Sequence, residues 1–126
     1  MYKSKAKDNS DLDKGDESVI SSIMRYMQEH LSEEISLSVL AEVFYLNAQY
    51  ISQLFKNEIG VGFLAYLTNI RIEKAKKLLL STSLSATEIS ENIGYSDYRV
   101  FTKVFKKTEG ITPTQFRREF FDRDKL

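Results

Sequence analysis

The sequence predicts an all-α fold of about seven helices, in which two helix-turn-helix units flank one long helix. Apolar residues recur at helical spacing along most of the chain. The residues that precede the long helix are repeated after it at a nearly constant distance. Typical helix-starting residues and glycines bound the periodic segments. With 126 residues, the chain is one domain or two very small ones.

The amino-terminal segment, residues 1–17, is almost entirely polar. It cannot bury enough apolar surface to offset the entropy of ordering, so we expect a disordered tail or an interdomain linker. A helical pattern follows, from Glu17 or Ser18 to His30. Because a histidine near a helix C-terminus interacts favourably with the helix dipole, we predict no functional role for His30.

A helix-turn-helix pattern comes next. Ser36 is a candidate cap for a short helix, and residues 45–46 form the turn. Asn47 is a good cap for a second helix over residues 48–59, and Gly60 ends that helix. The second helix has an apolar inner side and a polar outer side, as expected for a helix that packs on one face.

The long helix is predicted over residues 63–81. Glu73 and Lys77 lie four residues apart on its polar side, in the favourable order for an ion pair. At about 1.5 Å per residue, this helix spans roughly 28 Å. Its apolar positions are Phe63, Tyr66, Leu67, Ile70, Ala75, Leu78 and Leu79.

The segment after the long helix repeats the first unit. Residues 83–85 open a short helix, residues 94–96 form the turn, Asp97 caps the next helix and Gly110 ends it. Matched positions lie 50 residues apart in the second helices and 49 apart in the first, so one turn is a residue longer. A final helix starts at Thr112-Pro113, since Thr is a favoured cap and Pro a favoured first residue.

The predicted organisation follows directly from these elements. In chain order it is a tail or linker over 1–17, a first helix-turn-helix subdomain over 18–62, a linker helix over 63–81, a second helix-turn-helix subdomain over 82–122 and a frayed C-terminus over 123–126. The linker helix suits two units that contact successive major-groove windows on one face of DNA, roughly 34–36 Å apart.

The outer faces of the two second helices carry residues that suit base recognition. In a helix-turn-helix, residues near the N-terminus of the second helix reach base edges. Gln pairs with adenine, Arg and Lys pair with guanine, and Ser or Thr pairs with either. The exposed positions near the starts of these helices, which could reach base edges, are Ala48, Gln49, Ser52 and Gln53 in the first unit and Tyr98, Arg99, Thr102 and Lys103 in the second. The candidate phosphate-contacting residues are Lys56, Lys106, Lys107, Thr112 with the free N–H groups at its helix start, and Arg117.

Exposed Gln, Ser and Lys on a single helix usually indicate solvation alone, but here two matched copies carry them. The second copy also contains a specific motif: G-Y-S-D from Gly94, an inner Phe101, F-K at Phe105, G-I-T-P from Gly110 and F-R at Phe116. With the matching first copy, this motif resembles the C-terminal DNA-binding region of the AraC/XylS family of transcriptional regulators. The resemblance covers residues 36–118.

This resemblance implies a DNA-binding domain of a bacterial transcriptional regulator. The family's base-contacting positions fall on Gln49, Ser52 and Gln53 in the first unit and on Arg99, Thr102 and Lys103 in the second. Gln53 stands where the family often has Arg. Residues 45–47 and 71–75 resemble members fused behind a phosphorylatable receiver domain. On that interpretation, residues 1–17 are the remnant of a linker, and an upstream sensor or receiver domain has been removed.

Composition excludes several other classes of protein. The formal net charge is zero, with −3 over residues 1–36 and +3 over the remainder, so phosphate contacts depend on local placement. There is no cysteine and one histidine, and the glycines at 60–62 lack a nucleotide fingerprint. We therefore predict no catalytic residue, no metal site and no cofactor. Since no apolar run or leader is found, we expect a cytoplasmic protein without a membrane partner.

The alternative function is a helical protein-interaction module of a regulatory complex, without direct base reading. An exposed apolar patch would mark it, and Met24, Tyr26 and Met27 are the candidates, although core burial explains them more simply. An enzyme has no supporting motif. The sequence thus predicts a sequence-specific, double-stranded DNA-binding domain that inserts two recognition helices into successive major grooves. RNA polymerase is a further candidate partner.

Overall fold

The chain folds into helices throughout the part that the structure describes. This computed structural model describes residues 18–121, and the predicted tail over 1–17 and frayed end over 123–126 lie outside the described residues. The predicted all-α fold class is confirmed. The helices are α1 (Val19–Glu29), α2 (Leu37–Phe44), α3 (Ala48–Leu54), α4 (Phe63–Ser81), α5 (Ala86–Asn92), α6 (Tyr98–Glu109) and α7 (Pro113–Phe116). Single π-helical turns, Phe55–Ile59 and Arg117–Phe121, continue α3 and α7.

Side-chain caps start these helices where the sequence placed them. The Ser36 hydroxyl accepts a hydrogen bond from the backbone N–H of Val39 at 3.1 Å. Asn47 Oδ1 accepts the backbone N–H of Gln49 at 2.7 Å. Ser85 starts α5 and forms a reciprocal capping box with Glu88, which satisfies two N–H groups of the helix start.

Each of the two helix-turn-helix units has an equivalent backbone hydrogen bond in its turn. Leu46 N–H donates to Ala41 at 3.0 Å in the first unit, and Tyr95 N–H donates to Ser90 at 2.9 Å in the second. These pairs are 49 residues apart, whereas the caps Asn47 and Asp97 are 50 apart. The extra residue of the second turn therefore lies between residues 95 and 97.

The structure departs from the prediction at the end of the second helix of the first unit. The sequence predicts one continuous α-helix to Ile59, but its last turn is π-helical from Phe55. There the Gly60 N–H donates to Phe55 at 3.0 Å, whereas in the second copy Gly110 donates to Lys106 at 2.8 Å. The two copies thus close the same helix end with different hydrogen-bond spacing, which no side-chain pattern encodes.

The first compact unit comprises residues 18–30 and 34–67 of the described chain. The Phe55 ring contacts Phe63 and Tyr66 at centroid distances of 5.7 and 5.4 Å. Tyr26 contacts Phe44 edge-on at 5.8 Å and stacks on His30 at 4.1 Å. The buried apolar residues of this unit are Ile20, Ile23, Met27, Ile35, Leu40, Ile51, Phe55, Phe63 and Leu67.

The second compact unit comprises residues 31–33 and 68–121. An aromatic series runs through its core, with Phe101–Phe105, Phe105–Phe116 and Phe116–Phe120 centroid distances of 5.8, 5.5 and 4.8 Å. Such edge-to-face and tilted ring pairs add to the stability that burial provides. The other buried members of this core are Ile72, Ala75, Leu79, Ile89 and Ile93. The core fixes the inner side of α6 and leaves its outer side free for other contacts.

Candidate nucleic-acid interface

The repeat extends from the sequence to the exposure of each side chain. Every position from Ile51 to Gly60 is buried, half-buried or exposed in the same way as the residue fifty positions later. The fully buried positions are Ile51 and Phe55 in the first copy and Phe101 and Phe105 in the second. The two copies therefore present equivalent outer faces, although most residues on those faces differ.

The outer face of α3 is polar and carries the candidates of the first unit. Gln49 and Gln53 are exposed, and Ser52 is half-buried between them. Lys56 is exposed one turn further along. Because residues three, four and seven positions apart share a helix face, these four side chains form one continuous strip.

The outer face of α6 carries the more basic strip. Arg99 and Lys103 are exposed, and Lys106 and Lys107 are exposed one turn later. Thr102 is half-buried, and its hydroxyl donates to the carbonyl of Tyr98 at 3.0 Å. Since that bond uses the hydroxyl proton, the oxygen of Thr102 faces a ligand chiefly as an acceptor.

Arg99 and the helix cap Asp97 form an ion pair on the surface. Asp97 Oδ1 accepts the backbone N–H of Arg99 at 2.8 Å and its Nε–H at 3.3 Å. Arg99 Nη2 lies 3.4 Å from the other carboxylate oxygen. The backbone hydrogen bond from Arg99, followed by the bond from its side chain, lowers the pKa of Asp97. The cap is therefore a carboxylate at neutral pH, adjacent to the candidate guanine-binding residue.

The candidate phosphate cradle at Thr112 is already partly used within the protein. Thr112 N–H donates to Gln115 Oε1 at 2.9 Å, and Gln115 N–H donates to the Thr112 hydroxyl at 3.1 Å. Pro113 has no N–H. From the sequence we expect free N–H groups here, but this capping box leaves fewer of them for a phosphate.

Arg117 differs more sharply from its expected role. Its Nε donates to the carbonyl of Leu79 at 2.9 Å, and its Nη2 donates to the carbonyl of Thr82 at 2.9 Å. Both carbonyls belong to the C-terminal end of α4, where helical partners are lacking. The side chain thus closes the end of the long helix, and the donors that it uses there do not face a phosphate. The bonds join residues 35 and 38 positions apart, so no local pattern reveals them.

A second arginine supports the turn that precedes α6, and the sequence analysis missed this role. Arg71 lies over the Tyr95 ring at 5.4 Å and donates through Nη2 to the Glu33 carbonyl at 3.4 Å. Gly94 fits against this group, since a Cβ there would lie 2.2 Å from the Leu31 carbonyl oxygen. Burial lowers the pKa of Arg71 and raises that of Tyr95. The Gly94-Tyr95 pair predicts a tight turn, but it does not indicate that Arg71 contacts this turn.

Comparison with known proteins identifies the family to which the chain belongs. Residues 40–119 match the family model described as a helix-turn-helix domain. The chain is 36% identical over 96 residues to the regulatory protein PocR of Salmonella typhimurium, covering 76% of this chain and 32% of PocR. The chain belongs to the AraC-type helix-turn-helix family, as its motifs indicate.

Solved structures share the fold. One is the C-terminal domain of the two-component response regulator yesN from Fusobacterium nucleatum, with a TM-score of 0.74, 40% identity and coverage of 78% of this chain and 96% of that chain. The DNA-binding domain of AdpA, solved with a target DNA, has a TM-score of 0.79 at 21% identity, covering 85% and 96%. The chain spans only 28–33% of the length of the first three curated relatives.

Among residues 18–121, no helix is both long and apolar enough to cross a membrane. In the same part of the chain, no group of three or more His, Asp or Glu side chains is placed to hold a metal ion.

Proposed function

We propose that this chain is a sequence-specific, double-stranded DNA-binding domain of a transcriptional regulator, which inserts α3 and α6 into successive major grooves. The observation that carries the proposal is the pair of equivalent outer faces on these two helices. Each face is polar, each helix is held by a buried aromatic core, and each helix starts at a capped turn. This arrangement supports the proposal, because side chains near the start of a recognition helix are the ones that reach base edges.

Base recognition is divided between the two faces. Gln49 and Gln53 can bond adenine in pairs, and Ser52 suits several bases. Arg99 and Lys103 favour guanine O6 and N7. The proposed base-contacting residues are Gln49, Ser52, Gln53, Arg99, Thr102 and Lys103.

Phosphate contacts come from the last turns of the two helices. Lys56, Lys106 and Lys107 are exposed there, beyond the proposed base-contacting residues. Phosphate contacts fix the register of a protein on DNA without reading its sequence. Thr112 contributes through what remains of its helix start.

The relatives support the wider setting of this proposal. The Fusobacterium nucleatum domain belongs to a two-component response regulator. We propose by analogy that this chain acts in the cytoplasm behind a sensor or receiver domain, with RNA polymerase as a partner on DNA. We also propose the boundaries given by the sequence: subdomains over 18–62 and 82–122 with the linker helix over 63–81.

Selection from random duplex DNA at about 150 mM salt tests the proposal, with wild type and Arg99→Ala in parallel. We expect two preferred blocks about one helical turn apart, with one base preference lost in the variant. Binding without any preferred sequence would contradict the proposal and favour a helical protein-interaction module. Met27 is buried within the first core, and Met24 and Tyr26 are half-buried, which weakens that alternative.

A further inference from the structure

We infer that Asp97 is a positioning residue for Arg99, in addition to being the cap of α6. The inference rests on the proposed function, since it concerns the way in which one base contact is made. In this view the carboxylate holds the guanidinium over the start of α6 and directs its free edge toward a base. It also keeps that guanidinium away from phosphates.

The geometry of the pair leaves the useful edge of the guanidinium free. Asp97 bonds the side of the group through Nε at 3.3 Å and Nη2 at 3.4 Å. Of the five N–H donors of a guanidinium, these bonds use one on each of those nitrogens. Both hydrogens of Nη1 and one of Nη2 remain. One hydrogen on each of these nitrogens forms the outward fork that matches guanine O6 and N7. The Arg99 side chain is 86% exposed, so this fork is accessible.

The first unit shows that the cap itself does not require a charge. Asn47 occupies the position that matches Asp97, and its Oδ1 accepts the backbone N–H groups of Gln49 and Tyr50 at 2.7 and 3.2 Å. The residue two positions after Asn47 is the neutral Gln49, whereas the residue two positions after Asp97 is Arg99. Within this chain, the charged cap therefore accompanies the charged reading residue.

This comparison supplies a variant that separates the two roles. In Asp97→Asn, the amide oxygen keeps the capping bond that Asn47 already demonstrates. The amide nitrogen then faces the guanidinium as a donor and cannot accept from it. The helix start is retained, and the constraint on Arg99 is removed.

The Asp97–Arg99 ion pair should affect DNA binding more than it affects folding. Exposed ion pairs contribute little to folding because water screens them. At a DNA interface, a released arginine can instead reach nearby phosphates, which strengthens binding to every sequence alike. Loss of Asp97 should therefore lower discrimination and raise non-specific affinity together.

The experiment uses wild type, Asp97→Asn, Arg99→Ala and the double variant. Each is titrated against a duplex carrying the site selected by wild type, and against that duplex changed at the base pair whose preference Arg99→Ala loses. We expect Asp97→Asn to reduce discrimination at that base pair by about 3- to 10-fold. The double variant should discriminate as Arg99→Ala does. Binding of Asp97→Asn to an unrelated duplex should be tighter and should depend more steeply on salt, by up to about one phosphate contact.

Two controls isolate the effect. Glu91→Gln removes another exposed carboxylate of the second unit, so it measures the general effect of one lost negative charge. The Tm of Asp97→Asn should stay within about 3 °C of wild type, because a lost cap would lower it further. If Asp97→Asn is unstable, Asp97→Ser provides a second neutral capping residue.

The possible results distinguish the inference from the proposed function. A wild type that selects no sequence overturns the proposed function and the inference with it. A wild type that selects a site, while Asp97→Asn discriminates as well as wild type, overturns the inference alone. A double variant that differs in discrimination from Arg99→Ala also overturns it, because Asp97 would then act without Arg99.

Discussion

At the scale of single residues, the account depends on which exposed side chains read bases and which bind phosphates. Arg99 lies in the first turn of α6, where recognition helices contact base edges. Lys106 lies in its last turn and is equally exposed. The proposal separates their roles by position along the helix rather than by charge, because both side chains are cationic.

Arg99→Ala should weaken binding to the selected duplex by about 1–3 kcal/mol and relax one base preference, because a bidentate pair with guanine is lost. Binding isotherms on the selected duplex and on its single-base variants measure both effects. Equal losses on every duplex would assign Arg99 to the phosphates.

Lys106→Ala should weaken binding to all sequences alike and reduce the slope of log K against log salt by about one, since one phosphate contact disappears. Titrations at several salt concentrations, on selected and unrelated duplexes, measure this slope. A change of preferred site without a change of slope would contradict the assignment.

At the scale of elements, local signals specified most of the fold and tertiary contacts specified the rest. The starts and ends of the helices could be predicted from Asn47, Asp97 and the glycines that follow, because caps and left-handed positions require particular residues. The residues on the two outer faces could be predicted because the spacing of residues along a helix face is fixed. The π-helical turn could not be predicted, because no side-chain pattern in the sequence distinguishes it from an α-helical turn. The bonds of Arg117 could not be predicted because they join residues far apart in the chain.

Gly94→Ala should destabilise the second unit more than Gly110→Ala, although both glycines have positive φ, of 99° and 88°. A Cβ at Gly94 would lie 2.2 Å from a backbone oxygen, whereas nothing lies within 4 Å of one at Gly110. We expect a loss of about 1–2 kcal/mol at Gly110 and at least about 2 kcal/mol more at Gly94. Urea denaturation of both variants measures the difference, and equal losses would contradict the close packing of this turn.

Arg117→Met should lower the free energy of unfolding by about 2–3 kcal/mol, since two part-buried carbonyls lose a charged donor while the apolar stem is retained. Arg118→Met is the matched control and should cost less than about 0.5 kcal/mol, because Arg118 is exposed. Thermal unfolding of the two variants measures these costs. A stable Arg117→Met with weakened DNA binding would restore the phosphate role expected from the sequence.

At the scale of the whole molecule, the charge balance makes geometry the main determinant of binding. The net charge is zero, so attraction to DNA cannot come from the chain as a whole. We propose that the exposed lysines and Arg99 supply it locally, on the faces of α3 and α6. One continuous helix, Phe63–Ser81, connects the two helix-turn-helix units along the chain. The proposed insertion of both recognition helices into successive major grooves requires a fixed spacing between the two DNA blocks.

The most direct measurement of this claim inserts about 5 base pairs, half a helical turn, between the two selected blocks. The account predicts that affinity falls to that of a duplex carrying one block, because the second major-groove window then faces the opposite side of the DNA. The control duplex replaces the same number of base pairs between the blocks without changing their distance. Unchanged affinity after the insertion would contradict simultaneous insertion of α3 and α6 into successive major grooves.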